Sequence, residues 1–184
     1  ESKMLAERYI FLSDIPWTVI RPEFVYGPGD THVLPLFKAV ISGNFVLINR
    51  GESYLHPTCV DDLVQGVELC IRNKKAVREI FNIVGQRYLT VRELAEIIYS
   101  TFYDEMSSFH SLNKELLLFP AMIFTAINKI LGTDFPLSTS RVRFLTENRA
   151  ADYKKARDVL GYKPVSLDEG IRETERWYVK NGYL

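Results

Sequence analysis

"DIPWTVIRPEFVYGPGD", residues 14–30, is the stretch on which the fold turns. A turn at its start leads into a short apolar run, Trp17 to Ile20. A run with no polar alternation suits a parallel strand covered on both faces. "GPGD" then reads as a loop, in which Gly27, Pro28 and Gly29 permit a tight turn. Ligands of open α/β sheets gather beyond the carboxyl ends of the strands. Residues 21–30 are therefore the first place to seek a site.

The flanking sequence agrees. Upstream, "ESKMLAERYI" reads as a helix to about Leu12, with Leu5, Tyr9 and Leu12 on one face. Downstream, "THVLPLFKAVISG" reads as a helix ending near Gly43, and "FVLI" as a short strand. "TCVDDLVQGVELCIRN" is a helix with Asp61 or Asp62 near its N-cap, and Leu63, Val64, Val67, Cys70 and Ile71 fit its apolar period. "EIFNIVG" is a second buried strand. "TVRELAEIIYSTF" opens with a capping box, Thr90 with Glu93, and "SLDEGIRETERWYVKNG" with another, Ser166 with Glu169. Between them, "DYKKARDVLGYKP" is a helix with Asp152 at its start, stopped by Gly161. Strands and helices alternate, so the fold class is α/β.

Composition narrows the function. The 184 residues hold 23 Lys plus Arg and 23 Asp plus Glu. Zero net charge argues against a nucleic-acid partner, because phosphate contacts need a basic surplus. Cys59 and Cys70 lack metal or redox spacing and read as small buried hydrophobes of a reducing, cytoplasmic compartment. With three His, no metal site is expected. "LLLFPAMIFTAINKIL", residues 116–131, is too short and interrupted to span a bilayer, which needs about 20 apolar residues. It suits a core or dimer-facing helix, an apolar wall over a lipid-like substrate, or a membrane-touching surface.

Four stretches, in this order and at these spacings, resemble the extended short-chain dehydrogenase/reductase superfamily of NAD-dependent epimerases, dehydratases and 3β-hydroxysteroid-dehydrogenase-like enzymes. They are Ser2, Lys3, Ala6 and Glu7; "RPEFVYGPGD" (21–30); "HPTCVDDLVQGVELC" (56–70); and "NRAADYKKARDVLGYKPVSLDEGIRETERWY" (148–178). The resemblance implies the C-terminal part of an NAD(P)-binding Rossmann-type fold with a mostly helical substrate-binding subdomain. It assigns 1–30 and 61–85 to the sheet region, and 31–60 and 86–184 mainly to the subdomain. Lys3 matches the lysine of the family's Tyr-x-x-x-Lys motif. The tyrosine falls ahead of Glu1, and no glycine-rich phosphate loop is present. The chain is therefore expected to lack the N-terminal dinucleotide-binding half, and to be inactive alone.

The resemblance also implies roles. Lys3 would lower the tyrosine's pKa and hydrogen-bond the nicotinamide ribose of NAD or NADP. Pro22 and the main chain at Val25 would border the nicotinamide. Tyr26, Gly27, His56 and Arg149 would face the substrate, with Arg149 directed at a diphosphate. A hydrogen-bonded structural His56 and a salt-bridged Arg149 are the alternatives. Asp61 and Asp62 read as helix caps, not a catalytic carboxylate pair. The substrate expected first is a nucleotide-sugar. An apolar secondary alcohol is the alternative, since Tyr54, Leu55 and His56 stand where sugar-nucleotide members often carry a basic residue. A chain that only binds or self-associates is the third reading, and the expected partners are a second copy or the missing half.

Overall fold

A computed structural model describes residues 2–104, 108–117, 120–123 and 139–184. Helix α1, Ser2–Phe11, leads to strand β1, Thr18–Arg21, which pairs in parallel with β6, Glu79–Asn82, through Val19↔Ile80 and Ile20↔Phe81. The two apolar pairs lie on opposite faces of the strands. Between these strands lie β2 (Val25–Tyr26), α2 (Leu34–Ile41), β3 (Leu47–Ile48), β4 (Tyr54–Leu55), β5 (Thr58–Cys59) and α3 (Val60–Arg72). After β6 come β7 (Leu89–Thr90), α4 (Val91–Ser100), β8 (Ser111–Leu112), α5 (Thr139–Phe144), α6 (Lys154–Leu160) and α7 (Leu167–Lys180).

Two main apolar clusters organise the chain. One joins α2, α4 and α7 around Phe37, Leu94, Ile98 and Tyr178, and includes Tyr26 and Leu55. The other sets α3 and α6 against β6 through Cys70, Phe81, Ile83, Ala156 and Tyr162. Local signals explain the elements. Thr90 and Glu93 close the expected capping box on α4, satisfying two backbone donors the first helical turn leaves unpaired. Ser166 accepts from the Glu169 N–H at the start of α7. Gly161 takes the left-handed conformation that ends α6, where a side chain would be strained.

Four expectations change. Strand β1 is not covered on both faces: only Val19 is buried. In α3 the N-cap is Cys59, and neither aspartate caps it. Asp62 is instead buried, and its Oδ1 accepts from the Val165 N–H, 2.8 Å away. On the same helix Val64, Val67 and Ile71 are exposed, so the sequence period overstates the width of the packed face. Leu5, Tyr9 and Leu12 also face solvent, and α1 buries no residue. Much of 116–131, including 118–119 and 124–131, lies outside the described residues. No helix among those described is long and apolar enough to cross a membrane.

Candidate functional site

The segment after β1 meets the segment before α6 at the carboxyl end of the β1–β6 pair. Pro22 directs the chain out of β1, and Phe24 takes a positive φ of 28°, which is uncommon and costly for a large side chain. Thr58 holds this bend. Its Oγ1 donates to the Glu23 carbonyl at 2.6 Å and its N–H to the Phe24 carbonyl at 3.1 Å. Val25 then pairs with Thr58 and Tyr26 with Cys59. Gly27, at φ 150°, passes so close to the start of α3 that a Cβ would lie 2.5 Å from Val60 Cγ1.

Arg149 arrives from the other side. Its N–H donates to the Tyr54 carbonyl at 2.7 Å, and Asn148 Oδ1 accepts from the Tyr54 N–H at 3.0 Å. Its guanidinium lies 4.7 Å above the Phe144 ring, with Nη1 3.5 Å from Glu23 Oε1 and Nη2 3.8 Å from Glu147 Oε2. Arg149 Nε is buried with no hydrogen-bond partner among the described residues. The Phe24 ring contacts Phe144 at 5.6 Å.

Phe24 and Phe144 also wall a cavity of about 820 Å³, together with Val33, Leu36, Phe45 and Val142, and His32 is the one polar residue of its described lining. Its size falls within the usual range for small-molecule sites, and such sites are mostly apolar with a few polar groups. The charged rim and apolar hollow together suit a molecule with a hydrophobic body and a polar head.

The expected site residues divide. Lys3 is exposed on α1. It shares a face with Glu7, four residues on, and Glu7 pairs with Arg21 at the end of β1. Lys3, Pro22, Val25 and Gly27 thus belong to the elements that meet at this end of the strand pair. Two residues differ from expectation. Tyr26 is buried, and its phenol lies where a Cβ on Gly170 of α7 would come within 2.5 Å; burial raises its pKa far above the ordinary tyrosine value. It is a core residue, and its ring is not open to a substrate. His56 is also buried: its Nε2 is 2.9 Å from the Gly85 carbonyl and its Nδ1 3.3 Å from the Ala151 N–H. These partners assign a neutral ring with the proton on Nε2. Burial lowers its pKa, and both nitrogens are used in joining three segments.

Glu23, Phe24 and Phe144 carry no assigned role in the sequence reading, yet they form the rim. Glu23 and Arg149 are 126 positions apart, so no local pattern shows the pair. An exposed lysine on α1 and the bent loop after β1 could hold a ribose and a nicotinamide. Nothing in the chain matches a glycine-rich phosphate cradle.

No family model matches the chain. It is 24% identical to the N-acetyl-alpha-D-glucosaminyl-diphospho-ditrans,octacis-undecaprenol 4-epimerase of Escherichia coli O157:H7, over 85% of this chain and 47% of that protein. It is 29% identical to 3beta-hydroxysteroid-dehydrogenase/decarboxylase isoform 1 of Arabidopsis thaliana, over 84% of this chain and 38% of that protein. The crystal structure of UDP-glucose 4-epimerase from Thermotoga maritima, with UDP-glucose, superposes with a TM-score of 0.65 at 25% identity, over 97% of this chain and 51% of that one. The chain spans about half the length, or less, of the proteins it matches. Sequence motifs, fold and relatives agree: the chain resembles the extended short-chain dehydrogenase/reductase superfamily, its homologues are epimerases and 3β-hydroxysteroid dehydrogenases/decarboxylases, and its fold matches the C-terminal halves of NAD-dependent epimerases and dehydratases.

Proposed function

We propose that this chain is the substrate-binding part of an NAD(P)-dependent oxidoreductase acting on a secondary alcohol with an apolar body. The observation that carries this reading is the apolar cavity of about 820 Å³ walled in part by Phe24 and by Phe144, the ring over which Arg149 lies. A nucleotide-sugar would leave much of that wall without a matching apolar surface, whereas a sterol-like ring system would fill it. The similarity to a hydroxysteroid dehydrogenase supports the same substrate class. Residues 1–30 and 61–85 belong to the dinucleotide side of this arrangement, and 31–60 and 86–184 mainly to the substrate side. Bound NAD(P) would supply the hydride acceptor. Lys3 would hydrogen-bond the ribose and place a positive charge near the reacting hydroxyl, while Pro22 and the Val25 main chain border the nicotinamide.

A nucleotide-sugar substrate is the second reading, favoured by the buried Arg149 Nε, which has no partner among the described residues, and by guanidinium's fit to phosphate. Two assays on the full-length protein that carries this chain test both readings: NAD(P)H formation for net oxidation of an alcohol, and chromatography of UDP- or dTDP-sugars for redox-neutral epimerisation or dehydration. Turnover of 3β-hydroxysterols, abolished by Lys3→Met, is the expected result. Turnover of UDP- or dTDP-sugars without any turnover of apolar alcohols overturns the first reading in favour of the second.

A further inference from the structure

We propose that Glu23 determines which head group the site accepts, by acting as the built-in counter-ion of Arg149. The proposal rests on the reading that this face binds substrate. Arg149 has two carboxylate neighbours, and they are not equivalent. Glu147 Oε1 lies 2.9 Å from Arg143 Nε, one helical turn away, and that contact holds its carboxyl below the ordinary range. Glu23 has no cation other than Arg149 in contact among the described residues. Arg143, Glu147, Arg149 and Glu23 thus alternate in sign and sum to zero.

The backbone holds Glu23 in place. Thr58 Oγ1 donates to its carbonyl, and the Thr58 N–H donates to that of Phe24. Arg149 is fixed from its own side through the Tyr54 carbonyl. The two side chains are 27% and 34% exposed, so solvent screens their attraction only in part.

A diphosphate carries at least two negative charges. To engage Arg149 it must displace Glu23 and then remain beside that carboxylate. A hydroxyl or carbonyl head does not meet this repulsion. Glu23 is therefore a specificity-determining residue that disfavours nucleotide diphosphates, acting through Arg149 by repulsion of the wrong ligand.

Titration calorimetry with inorganic pyrophosphate and with UDP on the full-length protein tests this. Glu23→Gln keeps the side chain's size and removes its charge. It is expected to bind both probes about tenfold tighter than the unaltered protein, equivalent to about 1.4 kcal/mol. Glu147→Gln should leave both affinities unchanged, and adding Arg149→Gln to Glu23→Gln should remove the gain. The assignment is overturned if Glu23→Gln binds no tighter, if the gain survives without Arg149, or if Glu147→Gln gains as much. Melting curves check that each variant is folded, and Glu23→Ser repeats the charge removal should Glu23→Gln unfold. Hydroxysterol turnover by the unaltered protein is a separate readout. Its absence alongside the Glu23 effect sinks only the apolar-alcohol reading, and its presence without the effect sinks only the role of Glu23.

Discussion

Asp62 is a carboxylate with almost no access to water, and burial raises its pKa to about 6. An unfolded aspartate titrates near ~3.9. Between those values the folded state binds more protons than the unfolded state, so stability falls as pH rises from about 4 to about 6, then levels off. Asp62→Asn removes the buried charge and keeps an oxygen to accept the Val165 N–H. It is expected to stabilise the protein by about 1–2 kcal/mol at pH 8, with the gain vanishing near pH ~4. Urea unfolding at the two pH values measures it. A loss at pH 8 would mean that attraction to the amino end of α3 outweighs burial. The sequence places Asp62 at the start of a helix but conceals its partner, 103 positions away. His56 is illegible for the same reason, since its contacts at Gly85 and Ala151 come from separate segments. Lys3 and Gly27, by contrast, sit in stretches that carry the family resemblance, and their expected roles follow from that resemblance.

Helix α3 approaches Ile83, the residue just after β6, through a glycine. A Cβ on Gly66 would lie 2.6 Å from Ile83 Cγ2 and 2.9 Å from its Cδ1. An alanine must therefore push the helix outward or force Ile83 into a poorer rotamer. Gly66→Ala would gain helix propensity of about 1 kcal/mol in isolation, but overpacking typically costs about 1–3 kcal/mol. The net expectation is a destabilisation of up to about 2 kcal/mol, read by chemical denaturation. In an Ile83→Ala background the clash is gone, so Gly66→Ala should become neutral or stabilising. Additive effects of the two substitutions would show that this contact does not set the spacing. Elements of this kind were legible in unequal degree. The box at Thr90 and Glu93 and the stop at Gly161 are local chemistry, and the sequence suffices to read them. The buried face of α3 is not: Val64, Val67 and Ile71 satisfy the helical period yet are exposed, while Gly66, which has no side chain to signal burial, packs tightly against Ile83.

Across the whole molecule, packing is uneven, and this has a measurable consequence. Helices α4 and α7 bury Leu94, Ile98, Ile171 and Tyr178 in the larger cluster. Tyr178 also donates its hydroxyl to the Asp30 carbonyl at 2.7 Å, tying the carboxyl-terminal helix to the loop beside the site. Helix α1 buries nothing. It is held by the exposed Glu7–Arg21 pair and by Phe11 against Trp17, with ring centroids 5.1 Å apart. Exposed ion pairs contribute about 0–1 kcal/mol, and an aromatic contact about 0.5–1.5 kcal/mol beyond its buried area. Amide groups with so little packing open locally, without waiting for global unfolding. In hydrogen exchange on the 184-residue chain, α1 should therefore exchange first, and α4 and α7 last. Arg21→Gln should speed exchange in α1 by up to about fivefold, the ratio that 1 kcal/mol sets, while leaving α4 unchanged. Exchange of α1 at the rate of α4 would contradict this and require a contact absent among the described residues. The same physics bears on catalysis, because α1 carries Lys3. A lysine that must hold a ribose and bias a reacting hydroxyl needs a fixed position, and this chain's own packing supplies little to fix it. If the proposed enzyme is correct, α1 in the full-length protein should be far better protected than in the 184-residue chain, and adding NAD(P) should increase that protection.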